Sequence, residues 1–259
     1  MQRIILIDFS VFMFRAIFGS AKNKDNKIPA HYSCMSMMLA SLKELKASQE
    51  DKIIIAIDSP KGSWRKDYDT DYKGNRKAKR DTFDIDWKSE FEQFAQLKMN
   101  LMYNTPFIIL EGDKLEADDI IAYSVRHYSS NPCVIVSTDS DYEQLTCFPN
   151  VKVFSPVSKK FKIVKNPYKL LAKKIEQERT DNLMSPVLTE ADYNKRKMLV
   201  DLTTLPDFVE KQVKEILDNS SKCDIISFNY ERLKHKSLHQ RYIALFNKPK
   251  VKKEQLELI

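Results

Sequence analysis

Glycine is nearly missing from this chain: four in 259 residues, against a usual share of ~7%. That excludes collagen-like and glycine-linker material and leaves few positions for a glycine-rich phosphate loop. No apolar run approaches the ~18 residues of a membrane span, and the first eight residues do not make a signal peptide. The four cysteines, Cys34, Cys133, Cys147 and Cys223, lie far apart with no CxxC pair. They give no support for a zinc site and suit a reducing, intracellular compartment. Histidine is equally scarce: His31, His127, His235 and His239 are badly placed for a nucleophile–base pair and read as surface or packing residues. No repeat or long linker marks off an independent second domain.

What remains is a mixed, core-forming composition. Apolar residues make up 42% and charged residues 31%, and the length fits one large domain or one core with an appendage. Lysine and arginine number 43 against 36 acidic residues, a net charge of +7, which makes a polyanion a plausible partner.

The hydrophobic period alternates along the chain. Arg3–Ser10, Lys52–Ser59, Pro106–Leu110 and Cys133–Ser137 are short, β-branched apolar runs that read as buried strands, with Val151–Phe154 a further candidate. Helical spacing falls between them, over 31–48, about 87–103 and about 115–128. Strands and helices in this alternation predict an α/β fold with a mostly parallel sheet covered on both faces. After residue 160 the pattern weakens. A hairpin is expected at 159–166 and helices near 167–178, 189–199, 206–218 and 229–245.

Acidic residues collect where the strands end. Asp8 and Asp58 close the first two strands; Glu116, Asp118 and Asp119 open the helix after the third; Asp139 and Asp141 follow the fourth; Asp181 comes later, in ERTDN. Taken singly, each has an ordinary reading as a helix cap, a turn residue or a charge favoured at a helix N-terminus. Taken together, parallel strands bring several of them to one sheet edge, where ligands of such folds bind. Clustered carboxylates there must raise their pKa values or take a cation. Oxygen donors without histidine or cysteine suit Mg²⁺, with Mn²⁺ as a substitute, and these ions commonly meet substrate phosphates.

Residues 61–80, KGSWRKDYDTDYKGNRKAKR, follow the Asp58 strand and hold eight lysines and arginines. Arg65, Lys66, Lys73, Arg76, Lys77 and Arg80 are candidate nucleic-acid contacts, with Trp64, Tyr68 and Tyr72 as stacking surfaces. Lys73 and Arg76 share a helix face if this stretch is helical. A solvated basic loop is the plainer reading. Beside an acidic edge, though, such a segment draws in a polyanion while metal ions act on one phosphate.

LIDFS at 6–10, IAIDS at 55–59, WRKDYDTDYKGNR at 64–76, LEADDIIA at 115–122 and STDSDYEQL at 137–145 together resemble the 5′-nuclease, or flap endonuclease, family, in its T-even phage ribonuclease H type. The resemblance covers residues 1–165 well and continues loosely through RTDN at 179–182 and LTEADYNKRKMLVDL at 188–202. It implies a Rossmann-like, PIN-like catalytic domain over 1–165, with a basic arch at about 61–85. It also implies a reduced helical region over 166–259. By resemblance, Asp8, Asp58, Glu116, Asp118 and Asp139 serve one metal subsite, partly through water. Asp119, Asp141 and Asp181 serve a second, with Glu178 as a further acid. Lys73, Arg76, Asp118 and Asp139 are the implied catalytic residues, and Arg65, Tyr72, Lys73 and Arg76 the arch contacts. The implied activity is 5′→3′ exonuclease and flap cleavage on duplex DNA or RNA·DNA hybrid, for primer removal by a monomer in the host-cell cytoplasm.

The chain departs from that pattern in two places. Only six residues separate Asn182 from Thr189, too few for the family's helix–hairpin–helix module, which leaves Lys195, Arg196 and Lys197 as substitutes for its backbone contacts. Gln255, Leu256, Leu258 and Ile259 in the ending KKEQLELI resemble the short peptide that docks on a bacterial-type sliding clamp, although an ordinary charged tail is the plainer reading. The competing functional readings are a single-strand RNA endonuclease, which the arch disfavours, and a non-catalytic nucleic-acid scaffold, which so many carboxylates disfavour.

Overall fold

A computed structural model describes residues 1–22, 28–176, 187, 189–220 and 236–246 of the chain. Five strands run parallel: β1 (Ile4–Asp8), β2 (Lys52–Ala56), β3 (Ile108–Leu110), β4 (Cys133–Val136) and β5 (Val151–Ser155). A short β6 (Lys160–Phe161) pairs antiparallel on the edge, and the order is β3-β2-β1-β4-β5-β6. The fold is therefore α/β with a mostly parallel sheet. Parallel pairing needs crossovers, and the helices supply them on both faces.

Strand period divides the core in two. Ile4, Leu6, Ile54, Ile135 and Val153 face one side, against α6 (Ala117–His127), α8 (Glu190–Val200) and α9 (Asp207–Asp218). Ile5, Ile7, Ile53, Ile55 and Val134 face the other, against α1 (Phe9–Lys22), α2 (Ala30–Glu44), α5 (Trp87–Asn104) and α10 (Lys236–Phe246). Both faces of β1 are thus apolar, which is why IILI reads as a continuous run rather than an alternation.

Two local features differ from the sequence expectation. Helix α1 begins directly after β1, capped by the strand's last residue, Asp8, which accepts from Val11 N–H, and its phenylalanine-rich stretch reads locally as more strand. Its buried residues Phe9, Phe12, Ala16 and Ile17 nonetheless keep helical spacing. The basic segment holds only two short helices, α3 (Arg65–Tyr68) and α4 (Arg76–Asp81). Lys73 lies between them with φ of 52°, so Lys73 and Arg76 do not share a helix face. The C-terminal helices pack on the core: Leu199, Val200, Val209 and Val213 join one core cluster and Tyr242 and Phe246 the other.

Register brings the strand ends level. Asp8 pairs with Ala56, and Ile7 with Val136, so Asp8, Asp58 and Ser137 emerge at one edge. The 3₁₀ helix Asp141–Cys147 follows β4, with α7 (Pro167–Glu176) packed against it. Buried Gln144 bridges this turn to the chain beyond α8: its amide donates to the Val200 carbonyl (3.3 Å) and its oxygen accepts from Leu202 N–H (2.8 Å). Replacing Gln144 with leucine leaves both backbone groups unsatisfied at about 1–3 kcal/mol each. Urea unfolding of Gln144→Leu should therefore show a lower midpoint with an unchanged slope.

Candidate active site

The carboxylates at the strand edge are held by three short polar residues. Asp8 accepts from Ser137 Oγ (3.0 Å), from the Tyr142 hydroxyl (3.3 Å) and from Val11 N–H (3.4 Å). Tyr142 turns the same hydroxyl to Asp118 Oδ1 at 2.7 Å, so one phenol ties the β1 carboxylate to the α6 carboxylate. Asp58 accepts from Ser10 Oγ and from Ala117 N–H (2.8 Å). Ser137 Oγ also takes the Asp139 N–H (3.0 Å), and Asp139 Oδ1 takes the Asp141 N–H (2.9 Å). Asp8, Asp58, Asp118 and Asp139 are gathered here from four segments, the arrangement that parallel topology predicts.

Charge repulsion marks the group. Burial, reinforced by Asp58 and Asp139, pushes Asp8 up to about 7 against the hydrogen bond from Ser137. Burial raises Asp118 well above the carboxylate range; Lys73 opposes the shift, while Glu116, Asp139 and Asp8 add to it. Tyr142 is raised for the same reasons, burial first and then Asp118 and Asp8. Glu116 goes the other way. Burial works to raise it, but Lys73 and Arg65 with hydrogen bonds from Lys73 and Tyr72 hold it near 2.

The basic segment meets this edge through side chains rather than by overhanging it. Lys73 Nζ lies 2.6 Å from Glu116 Oε1, and the Tyr72 hydroxyl donates to Glu116 Oε2 at 3.0 Å. Arg65 donates to Glu116 (2.8 Å), to Asp119 through two nitrogens (2.8 and 3.2 Å), and through Nε to the Leu199 carbonyl (2.8 Å). It stacks over the Trp64 ring at 4.5 Å, and Trp64 Nε1 donates to Asp119 at 3.0 Å.

These contacts correct several expectations. Arg65 is 1% exposed and Tyr72 2%, so neither faces a nucleic acid, and Trp64 is likewise buried beneath the segment. Adjacent helix positions point about 100° apart. Asp118 therefore faces the acidic group while Asp119, fully buried, turns away to Arg65, Trp64 and Glu116 N–H. Both Asp119 oxygens are engaged there, on the far side of α6 from the Asp8 group. Asp141 stands apart from the first group and pairs with Lys174. Asp181 and Glu178 lie outside the described residues, as does the Lys77 side chain. Lys66 and Arg76 are exposed and Arg80 half-buried. Arg80 rests between the rings of Trp87 and Phe91, 5.4 Å from each. Arg196 is buried and donates to the Ile175 carbonyl, so it is no substitute phosphate contact. Sequence reasoning gave no part to Ser10, Ser137 or Tyr142, although all three sit within two residues of a marked aspartate.

The family described as the 5′-3′ exonuclease N-terminal, resolvase-like domain matches residues 3–178. The chain belongs to the 5′→3′ exonuclease family. Among relatives of this nuclease, ribonuclease H of Enterobacteria phage T4 is 28% identical over 82% of this chain and 85% of its own. The 5′-3′ exonuclease of Mycoplasma genitalium is 29% identical over 58% of this chain and 52% of its own. In fold, the nuclease is similar to the bacteriophage T5 flap endonuclease in a pseudo-enzyme–product complex with DNA and metal ions. The TM-score is 0.62 at 19% identity, over 84% of this chain and 98% of that one. It is also similar to the T5 5′-exonuclease with divalent metal ions (zinc) bound, at a TM-score of 0.60 and 19% identity over 84% of this chain and 99% of that one.

Among the described residues, no group of three or more His, Cys, Asp or Glu side chains is set to hold a metal ion directly. The donor chemistry nevertheless fits a hard divalent cation: all oxygen, at one edge, with Asp8 and Asp118 raised by burial and by neighbouring carboxylates. Lysine currently balances part of this charge, Lys73 at Glu116 and Lys174 at Asp141.

The Arg65–Asp119 pair carries its own prediction. Removing one member strands a buried charge, so Arg65→Met should cost about 3–5 kcal/mol. Arg65→Met with Asp119→Asn removes that charge and keeps an acceptor for Trp64 and Glu116 N–H. The double variant should recover more than half of the loss in chemical denaturation.

Proposed function

We propose that this chain is a divalent-metal-dependent, structure-specific 5′ nuclease, hydrolysing phosphodiesters in duplex DNA or RNA·DNA hybrid during primer removal. The observation that carries the reading is the group of Asp8, Asp58, Asp118 and Asp139 at one sheet edge, met from the side by a lysine- and arginine-rich segment. Membership of the exonuclease family supports it, as does the ribonuclease H name of the phage T4 relative.

Asp8, Asp58, Asp118 and Asp139 would hold one ion, with Glu116 through water. Asp141, with Asp181, would hold the other. Bound Mg²⁺ or Mn²⁺ supplies positive charge at the phosphate and lowers the pKa of water. The chain's own residues then orient and retain. Ser137, Ser10 and Tyr142 fix the carboxylate rotamers by hydrogen bonds, so that little reorganisation accompanies the reaction. Lys73 stands where it can pass from Glu116 to a phosphate oxygen, and exposed Arg76 offers a bidentate fork to the same diester. Burial of Trp64, Arg65 and Tyr72 anchors the root of the segment, which keeps these two cations over the acidic edge.

Asp118→Asn separates the chemistry from the fold. It removes one of several repelling charges, so thermal denaturation in EDTA should show equal or greater stability, by on the order of 1 kcal/mol. Cleavage of 5′-flap, nicked-duplex and RNA·DNA hybrid substrates in Mg²⁺ should fall at least 100-fold. Short 5′ products made by the natural chain and lost in EDTA are the expected result. Cleavage confined to single-stranded RNA would sink the 5′-nuclease reading, and metal-independent binding without products would leave a scaffold.

A clamp contact through residues 255–259 rests on the sequence resemblance alone, since the tail lies outside the described residues. Deletion of 255–259 should abolish binding to a bacterial-type ring clamp in a pull-down and leave flap cleavage without the clamp unchanged.

A further inference from the structure

The β5–β6 hairpin and α7 form a second basic surface. Residues 159–174, KKFKIVKNPYKLLAKK, hold seven lysines and no acidic residue. Two of these lysines reach the acidic edge. Lys162 Nζ lies 3.0 Å from the Asp139 carbonyl and 2.8 Å from Glu143 Oε1, and Lys174 pairs with Asp141. The segment is thereby fixed against the rim of the site. Lys165, Lys169 and Lys173 are exposed; Lys169 and Lys173 lie four residues apart on α7 and Lys165 just before its start. Like charges four apart destabilise a helix, and nothing acidic within the segment offsets them. Beside them stand Ile163, 93% exposed, and Tyr168, 68% exposed.

Position decides what this face meets. The basic arch rises from the β2–β3 half of the sheet, whereas this face belongs to β6, at the other end of the order β3-β2-β1-β4-β5-β6. The carboxylates emerge between the two, at β1 and β4. From β1 to β6 there are three strand spacings, about 14 Å, close to the ~12 Å width of a B-DNA major groove. A phosphate ladder held at β6 and α7 can therefore deliver one of its strands to Asp8 and Asp139. Resting on the nuclease reading above, we propose that Lys165, Lys169 and Lys173 form the seat for the double-stranded part of the substrate, gripping its backbone without reading sequence. The arch is left to the single-stranded 5′ end. In a chain with only six residues between Asn182 and Thr189, this face takes over duplex retention.

Binding without cleavage tests the assignment on the full chain. Fluorescence anisotropy in EDTA would follow a labelled duplex and a labelled single strand from about 50 to 200 mM salt. The variants are Lys169→Ala/Lys173→Ala and a control of equal charge, Lys43→Ala/Lys46→Ala, on α2 and the turn after it, outside the segment. The first should weaken duplex binding about tenfold at the lower salt. It should also flatten the log–log salt slope by about 2, one per lost phosphate contact. Single-strand affinity should change less than threefold, and the control should match the natural chain. Duplex affinity and slope unchanged within error would overturn the proposal. So would an equal loss on single strand and duplex, or a loss seen only on phosphatidylserine vesicles. Failure of the nuclease reading shows separately: a natural chain that binds duplex through these lysines but makes no products in Mg²⁺ keeps the seat and loses the activity.

Discussion

Arg65 is the contact on which the working edge of this protein depends. A single guanidinium, 1% exposed, joins the root of the basic segment to Asp119 and Glu116 at the start of α6 and to the Leu199 carbonyl at the end of α8. Three regions distant in sequence converge on one planar fork, which satisfies both carboxylates and a backbone acceptor at once. Burying a charge this deeply is tolerable only because each nitrogen is matched. The match in turn fixes the orientation of α6, and hence where Asp118 points. The Trp64 ring beneath the guanidinium and its indole N–H on Asp119 close the arrangement.

From that anchor the electrostatics divide into two zones a few residues apart. On the Arg65 side, Glu116 is held near 2 by cations. On the β1 side, Asp8 and Asp118 are raised by burial and by the carboxylates around them. A carboxylate group left in that condition is a standing demand for positive charge, and stability is given up locally to maintain it. The same excess of acid explains why lysines from three segments, Lys73, Lys162 and Lys174, lean toward the edge. Substrate phosphates and cations together meet a site already arranged for both signs.

The two basic surfaces hold their charge in different ways. The arch is rooted in a buried aromatic and arginine cluster, so its charge is held close to the acids. The β6–α7 face is exposed and repetitive, suited to a regular phosphate backbone rather than to one diester. Their placement at opposite ends of the sheet gives the substrate a direction across the carboxylates.

Much of this was legible in the residues. The short β-branched runs ending in Asp8, Asp58 and Ser137 declared both the parallel sheet and its acidic edge, because a strand buried on both faces admits few other patterns. The alternation of strand and helix located seven of the ten described helices. Helix α1 escaped, since FSVFMFRAIFG is as apolar as the strand before it, and the short α3 and α4 fall in a run read for its charge. Side-chain partnership was not legible. Asp118 and Asp119 are identical neighbours in sequence, and only helix rotation sends one to the acidic edge and the other to Arg65. Arg65 and Tyr72 look like exposed contacts in a basic run, and only tertiary packing buries them under α8 and α9. Sequence by itself determined the chemistry available and the edge where it collects, through local period and residue type. The tertiary structure decided which of several like charges face one another and which are neutralised, because that depends on the angles between elements far apart in the chain.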